Sequence, residues 1–533
     1  MKKFQPILLP LLSGLLFYLG WPTSPFTFAV FGAFVPLLII EQKSNNRLSY
    51  FGQIYLALFI WNLTTTWWIW NASLVGAWLA IFVNALLMCL PWMGYRSIKK
   101  QLGQTIGLIS LIVFWIGFEY LHLQDWGLSW PWLTLGNALA NQPDWIQWYE
   151  WTGVAGGSLW ILIVNILLFT SFFAQVPPDT PKKNQRRSFL KPALICTIVL
   201  IPVIGSFLIQ KSLEAKSSTN DQNIVLIQPN IDPYEKLSAG TFEMQLQRLL
   251  ELSASKIDSN TTLLVWPETA LYSPSGFDEN ELKNNSSLQP LFDFLHQHPR
   301  LHLFTGIESY RLFREKVSLY ARPLEGTGMY YEMYNGSVLL DSSGPLQFYH
   351  KSMLVPGVET LPRFLLFLAP VFEKFGGSTG GYARQPDRTP VRTKNHFIIA
   401  PAICYESIYG EYLSRYMQKG ANIIAIITND GWWGNTPGYQ QHLAYARLRA
   451  IETRRWVVRS ANTGISCFIS PEGTIYEAQP WWQEAAAKMS VSSTNHSTIF
   501  VQWGDWISKI ALVASVLFIA GFFVQRINVK RKS

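Results

Sequence analysis

Residues 397–410 read FIIAPAICYESIYG, and the fold of the second half of the chain turns on them. The apolar run FIIAPAI is short and rich in isoleucine, as expected of a strand in a sheet covered on at least one face. It ends on Cys404, and the following ESIYGEYLSRYMQ reads as a helix. A thiol between a buried strand and a helix stands where a rigid sheet aims reactive groups. It is equally the place for a small buried residue, so its neighbours must decide.

Working outward, NIVLIQ, TTLLVW, HLFTGI, YNGSVLL, NIIAII, WVVRSA and GISCFIS, all between 223 and 470, read as further strands. TFEMQLQRLLELSASKI and GYQQHLAYARLRAIETRR carry helical periodicity. Apolar strands alternating with helices predict an α/β domain. Two more polar residues close strands: Glu268 after TTLLVWP and Lys351 after LQFYH. Singly, each has a plain reading as a turn or surface residue. Together they form a chemical set, because a thiol needs a base to become a nucleophile and an attacked carbonyl needs a cation for its oxyanion. A helix start after Cys404 is expected to favour the thiolate further.

The rest of the 533-residue chain is of another kind. It has 23 Trp and 33 Phe with only 14% charged residues, which points to a membrane protein. Apolar segments at about 5–21, 24–41, 50–71, 74–94, 104–122, 154–176 and 192–210, and an eighth at about 506–524, are each near the length that crosses a bilayer. The first is read as a retained span, because LLFYLGWP offers no signal-peptidase site. The predicted architecture is therefore a polytopic helical domain of eight transmembrane helices, divided 1–211, 212–505 and 506–533, with the α/β domain in the middle part.

Basic residues mark the sides. Lys2 and Lys3, Lys43 and Arg47, Arg96 to Lys100, Lys182 to Lys191 and Arg526 to Lys532 occupy alternate connections, while those around 21–24, 72–75 and 121–153 have no Lys or Arg. The positive-inside rule puts both termini in the cytoplasm and 212–505 outside. The net charge of +9 is thus spent on membrane orientation, which argues against nucleic acid as a partner. Four cysteines without metal-ligand spacing argue against a structural zinc site, and no cofactor motif is present. The six tryptophans between 126 and 151 read as an interfacial belt, with a surface that also cradles a lipid headgroup or docks the outer domain as the sharper alternative.

WPET around Glu268, YHKSMLVP around Lys351 and PAICYES around Cys404 resemble the Glu-Lys-Cys triad of the nitrilase superfamily. With seven apolar segments before the domain and one after it, the whole chain resembles the apolipoprotein N-acyltransferases of that superfamily. The resemblance implies an αββα sandwich on a helical membrane base, in a bacterial inner membrane with the catalytic domain in the periplasm. It implies acyl transfer from a phospholipid, typically phosphatidylethanolamine, to the α-amine of a diacylglyceryl-modified N-terminal cysteine on an apolipoprotein, through a thioester. On this pattern Cys404 is the nucleophile, Glu268 the base and Lys351 the oxyanion partner, with Glu359, Tyr405 and Glu406 in support. PGVE at 356–359 departs from the family's usual Pro-Phe-Gly-Glu, and Leu237 stands where some members have tryptophan.

The stretch after Glu359 is apolar but short and Pro-broken, and is read as a substrate lid carrying Phe364, Leu365 and Phe367. Cys89 and Cys196 read as plain residues within spans, Cys404 and Cys467 are expected as free thiols, and His442 as a structural hydrogen-bonding group. A monomer is expected. Two competing readings are a membrane-held amidase, disfavoured because a thioester must outlive water, and a transporter or receptor whose outer domain only binds ligand, disfavoured because the spans carry few charges beyond Glu119 and neither needs the Glu-Lys-Cys set.

Overall fold

A computed structural model of the protein describes residues 5–127, 129–174, 190–214, 221–236, 241–360 and 381–532. The expected lid residues Phe364, Leu365 and Phe367, and Leu237, lie outside them. The chain divides into two compact units, one of 1–67, 77–214 and 505–533, the other of 68–76 and 215–504.

The first unit is helical. Five helices among the described residues are long and apolar enough to cross a membrane: Leu74–Leu102, Gln104–His122, Val154–Phe173, Pro192–Leu213 and Trp506–Ile527. Eight were expected, and the difference lies in the first three segments. Gln5–Gly20 is a helix of 16 residues, short of a full span. Arg47–Thr66 has the length but is diluted by Asn46-capped polar turns and three consecutive threonines. The segment at 24–41 is not one helix but a 3₁₀ turn, Thr27–Gly32, followed by a helix, Val35–Lys43. Asn165 makes that break tolerable. Its amide donates to Val30 O (3.0 Å) and accepts from Phe34 N (2.8 Å), replacing backbone bonds that apolar surroundings would leave unmade. Of the expected tryptophan belt, Trp126 and Trp151 are exposed, whereas Trp132 is fully buried and stacked on Trp130.

Among its described residues the second unit has fourteen strands: β1 (Asp221–Gln228), β2 (Thr261–Val265), β3 (Phe277–Asp278), β4 (His302–Phe313), β5 (Arg322–Leu324), β6 (Met329–Leu340), β7 (Gln347–His350), β8 (Val391–Arg392), β9 (Ile398–Ile403), β10 (Ile423–Thr428), β11 (Val457–Ala461), β12 (Cys467–Ile469), β13 (Ile475–Tyr476) and β14 (Ala485–Ser492). They form two sheets. One has the order β14-β1-β2-β4-β6-β5, with β3 on β4 and β7 on β6; the other runs β13-β12-β11-β10-β9-β8. The central pairs β1/β2, β2/β4, β9/β10 and β10/β11 are parallel, which explains why these strands are apolar almost throughout.

The sheets pack on each other, with Ser460 Oγ on β11 donating to Ile227 O on β1 (2.7 Å). Helices Phe242–Ala254 and Gln289–Gln297 cover the first sheet, pressing Leu246, Leu249, Leu291 and Leu295 against Val225, Leu264 and Leu303. Helices Gly410–Gln418 and Pro437–Thr453 cover the second. The layers are therefore helix, sheet, sheet, helix. The stretch Trp68–Gly76 belongs to this unit: Asn71 Nδ2 donates to Trp433 O (2.8 Å) and the Trp68 ring lies 4.8 Å from that of Trp433.

Candidate active site

Three strand ends deliver the site. β2 runs out at Trp266-Pro267, where proline removes a backbone donor and stops the ladder. Glu268 follows, with Thr269 held at φ +49°. This turn lies so close to β4 that a Cβ on Gly306 would sit 2.4 Å from Thr269 N, so only glycine fits there. β7 ends at His350, and Lys351 is held by its N–H to Asn335 O (2.9 Å). β9 ends at Ile403, and Cys404 turns at φ +52°, a left-handed conformation that costs a non-glycine residue about 1–3 kcal/mol. That turn throws the half-buried thiol off the strand end.

Lys351 is almost fully buried, and its Nζ donates to Glu268 Oε1 (3.2 Å) and Glu359 Oε1 (2.8 Å). Asn335 Nδ2 bridges the same two oxygens, at 2.9 and 3.0 Å. Glu268 Oε2 accepts from Asn429 N (3.1 Å), and Glu359 Oε2 from Val355 N (2.8 Å). The PGVE sequence closes as a tight loop, Gly357 N to Thr360 O at 2.8 Å with Gly357 at φ +78°, and still delivers the Glu359 carboxylate to the lysine.

The electrostatics follow from this packing. Burial disfavours the Lys351 cation, but the Glu268 and Glu359 carboxylates outweigh it and hold the ammonium charged well above its ordinary range. Burial and the charge of Glu268 push the Cys404 thiol well up, against the pull of Lys351. This corrects the expectation that a helix start would favour the thiolate. The five residues from Cys404 form a 3₁₀ turn, and the helix begins only at Gly410, too far on for its N-terminus to act on the sulfur. The thiol keeps its proton until a base takes it.

Supporting residues take distinct places. Tyr405 is buried edge-on against Tyr409 (5.4 Å). Glu406 is fully buried, and its Oε1 accepts from Ser352 N (2.7 Å), Met353 N (3.2 Å) and the Tyr349 (2.6 Å) and Tyr412 (3.0 Å) hydroxyls, while Oε2 accepts from Ile403 N (2.9 Å). It therefore ties the residues after Lys351 to the residue before Cys404. His442 is structural in its bonding: Nδ1 pairs with Asp430 Oδ1 (3.0 Å) and Nε2 faces Ser407 Oγ (2.8 Å) and Cys404 O (3.1 Å). Burial opposes the Asp430 charge, but Arg459 (2.5 Å) and His442 hold its carboxyl well below the usual range. All four cysteines are free.

Two residues escaped the reading of the sequence. Asn335 left a signal, a polar residue inside the apolar YNGSVLL. Lys236 left none beyond its charge. It is buried, donating to Glu268 O (3.0 Å) and Thr269 Oγ1 (2.9 Å), and burial lowers it to about 8.

Helices outside two stacked sheets, with a thiol, a lysine and two carboxylates gathered at the strand ends, define a domain of the nitrilase class. The carbon-nitrogen hydrolase family matches residues 224–496, and the apolipoprotein N-acyltransferase N-terminal domain matches residues 13–167. An apolipoprotein N-acyltransferase of Chlorobaculum tepidum is 30% identical over 96% of this chain and 96% of its own length. Apolipoprotein N-acyltransferase 1 of Treponema denticola is 26% identical over 98% of both. Among solved structures, Saccharomyces cerevisiae Nit3, a member of branch 10 of the nitrilase superfamily, is 17% identical with a TM-score of 0.36, covering 52% of this chain and 92% of its own. The chain belongs to the apolipoprotein N-acyltransferase family, and it is a multi-pass membrane acyltransferase.

Proposed function

We propose that the protein moves an acyl chain from a phospholipid, phosphatidylethanolamine in the first instance, to the α-amine of a diacylglyceryl-cysteine at the N-terminus of apolipoproteins. Glu268 takes the Sγ proton as Cys404 attacks the ester carbonyl. The negative oxygen that forms is stabilised by the Lys351 ammonium and the Tyr405 N–H. Collapse breaks the ester C–O bond, the leaving alkoxide takes the proton from Glu268, and a lysophospholipid departs from a thioester on Cys404. The acceptor amine then attacks the thioester and gives its proton to Glu268. Collapse forms the amide and returns the sulfur as a thiolate, which Glu268 reprotonates. Glu359 shares the lysine and keeps it charged through both halves.

The observation that carries this reading is a single buried lysine bonded to two carboxylates beside a strand-end cysteine. Amidase chemistry would use the same groups; the match of relatives across nearly the whole chain favours transfer. Residues 212–505 work on the outer, periplasmic side of an inner membrane, with both termini in the cytoplasm. The three shorter or broken segments complete eight crossings around the five long helices. The protein acts as a monomer without cofactor or metal.

Intact-mass measurement after incubation with phospholipid and no acceptor tests the first half. Wild type should gain one acyl mass, released by hydroxylamine, and Cys404→Ser should gain none. Transfer to acceptor by a wild-type protein that never carries that mass would sink the thioester.

A further inference from the structure

Beside the Lys351 cluster, on the same sheet, lies a cavity of about 480 Å³ that the acyl-transfer chemistry does not use. Its place follows from register. Glu308 on β4 stands directly opposite Asn335 on β6, the residue whose amide bridges Glu268 and Glu359. Side chains of such a pair project from the same face about 5 Å apart. Two residues further along, Tyr310 faces Met333, and beyond them Leu312 faces Tyr331, which itself pairs with Arg322 on β5. Of these, Glu308, Tyr310, Met333, Leu312, Tyr331 and Arg322 line the cavity, and Asn335 adjoins it through its pairing with Glu308, so the cavity continues the face of the Lys351 cluster outward along β4 and β6.

Among the described residues that line it, the cavity carries one group of each sign, Glu308 and Arg322. Tyr382 lines the cavity with Glu308, and a Cβ on the preceding Gly381 would lie 3.9 Å from Glu359 O, so the cavity adjoins the Lys351 cluster here as well. At the other end the Arg322 guanidinium donates to Gly381 O (3.3 Å), one residue before Tyr382. Lys236 does not neutralise Glu308 by contact, because its ammonium is bonded to Glu268 O and Thr269 Oγ1. Burial raises Glu308 to about 7, so it has much to gain from a cation brought to it.

Resting on the proposed acyl transfer, we infer that this cavity seats the phosphoethanolamine headgroup of the acyl donor, with the ammonium on Glu308 and the phosphate toward Arg322. The pairing of opposite charges suits a zwitterion. The acceptor's α-ammonium has no phosphate beside it, and so would use only half of the site. A primary ammonium can donate three hydrogen bonds to the carboxylate and tyrosine oxygens, which a quaternary choline cannot. Glu308 is thus a specificity-determining residue for the donor.

The test follows thioester formation on the full-length protein, without acceptor, using phosphatidylethanolamine, phosphatidylglycerol and phosphatidylcholine of matched acyl chains. Wild type should favour phosphatidylethanolamine by about tenfold or more, the scale of one charge-assisted hydrogen-bonding site. Glu308→Gln should bring the ethanolamine-to-glycerol rate ratio toward one. On unsubstituted protein, which removes any question of misfolding, soluble glycerophosphoethanolamine should slow the reaction more than glycerophosphoglycerol at equal concentration. A wild-type ratio near one, equal inhibition by the two soluble headgroups, or a Glu308→Gln protein that keeps the wild-type ratio overturns the assignment. So does a Glu308→Gln protein that forms the thioester from all three lipids as wild type does and, in a separate transfer assay with acceptor, changes only the KM for acceptor, which would give the site to the other amine. If wild type acquires no acyl mass from any of the three lipids, the acyl-transfer reading itself fails and this one with it.

Discussion

Glu406 shows how one buried carboxylate ties together the backbone beside two residues of the proposed mechanism, Lys351 and Cys404. Its carboxylate gathers Ser352 N and Met353 N, just past Lys351, and Ile403 N, just before Cys404. An ionised carboxylate is acceptor-only and can take all of these with the Tyr349 and Tyr412 hydroxyls. A glutamine at this position must turn an NH2 toward N–H groups on one side. Glu406→Gln is therefore expected to cost on the order of 3 kcal/mol of stability, read by thermal or denaturant unfolding, since buried donors lose their partner. It should also slow thioester formation at least tenfold, and Glu406→Asp should restore part of that rate. Stability loss without slower acylation of the folded fraction would make Glu406 a fold residue only. Cys404, Lys351 and Glu268 could be read from the sequence because each ends an apolar run. Glu406 could be named but not given a role, because its partners lie 3 to 57 residues away on two strands, a helix and a loop that no sequence pattern aligns.

At the scale of elements, β4 and β6 form the long antiparallel pair on which the site rests, from Leu303 with Leu340 to Phe313 with Tyr330. Both were legible as HLFTGI and YNGSVLL, but only over their apolar halves. Their outer halves, with Glu308, Tyr310, Tyr331 and Met333, are half-buried and mixed in character, and exist as strands because they pair. β14 was invisible for the same reason. AAAKMSVS has little β-branched character and becomes a strand by closing the edge of β1. The outer half of β4 gives a pH prediction. The Glu308 carboxyl rises from an ordinary 4.5 to about 7 because it is buried. Between those values the folded protein keeps a proton that the unfolded chain has released, so the contribution is full below about pH 4.5 and is lost as pH rises through about 7. Glu308→Gln removes this loss. Relative to wild type, its stability should rise by up to about 3 kcal/mol from pH 4.5 to above 7, the worth of a shift of about 2.5 pH units. Thermal midpoints of both proteins across that range check it, and parallel curves would show that Glu308 ionises freely.

For the whole molecule, hydropathy located the apolar segments but could not count the helices. The break at 27–43 depends on Asn165, a residue more than a hundred positions away. Five long helices are an odd number, and an odd number of crossings would put the basic residues at 2–3 and 526–532 on opposite sides. The alternation of basic connections requires an even count. A second argument comes from the stretch Trp68–Gly76, which has no Lys or Arg and follows the helix Arg47–Thr66. It forms one compact unit with the sheets, through Asn71 and Trp433, Trp68 and Trp433, and the Tyr234 hydroxyl on Asn71 O (3.3 Å). A connection that packs in the sheet unit lies on its side of the membrane, and the charge rule gives that connection to the outside. Both arguments agree with the proposed placement of the sheets outside and the Arg96–Lys100 turn inside. In spheroplasts, a membrane-impermeant maleimide should label Lys316→Cys, which is exposed in the sheet unit, above the background of the parent protein. It should reach Lys100→Cys only after the membrane is permeabilised. Labelling of Lys100→Cys in intact spheroplasts, with Lys316→Cys protected, would invert the topology and leave the thiol on the wrong side for lipoproteins displayed outside.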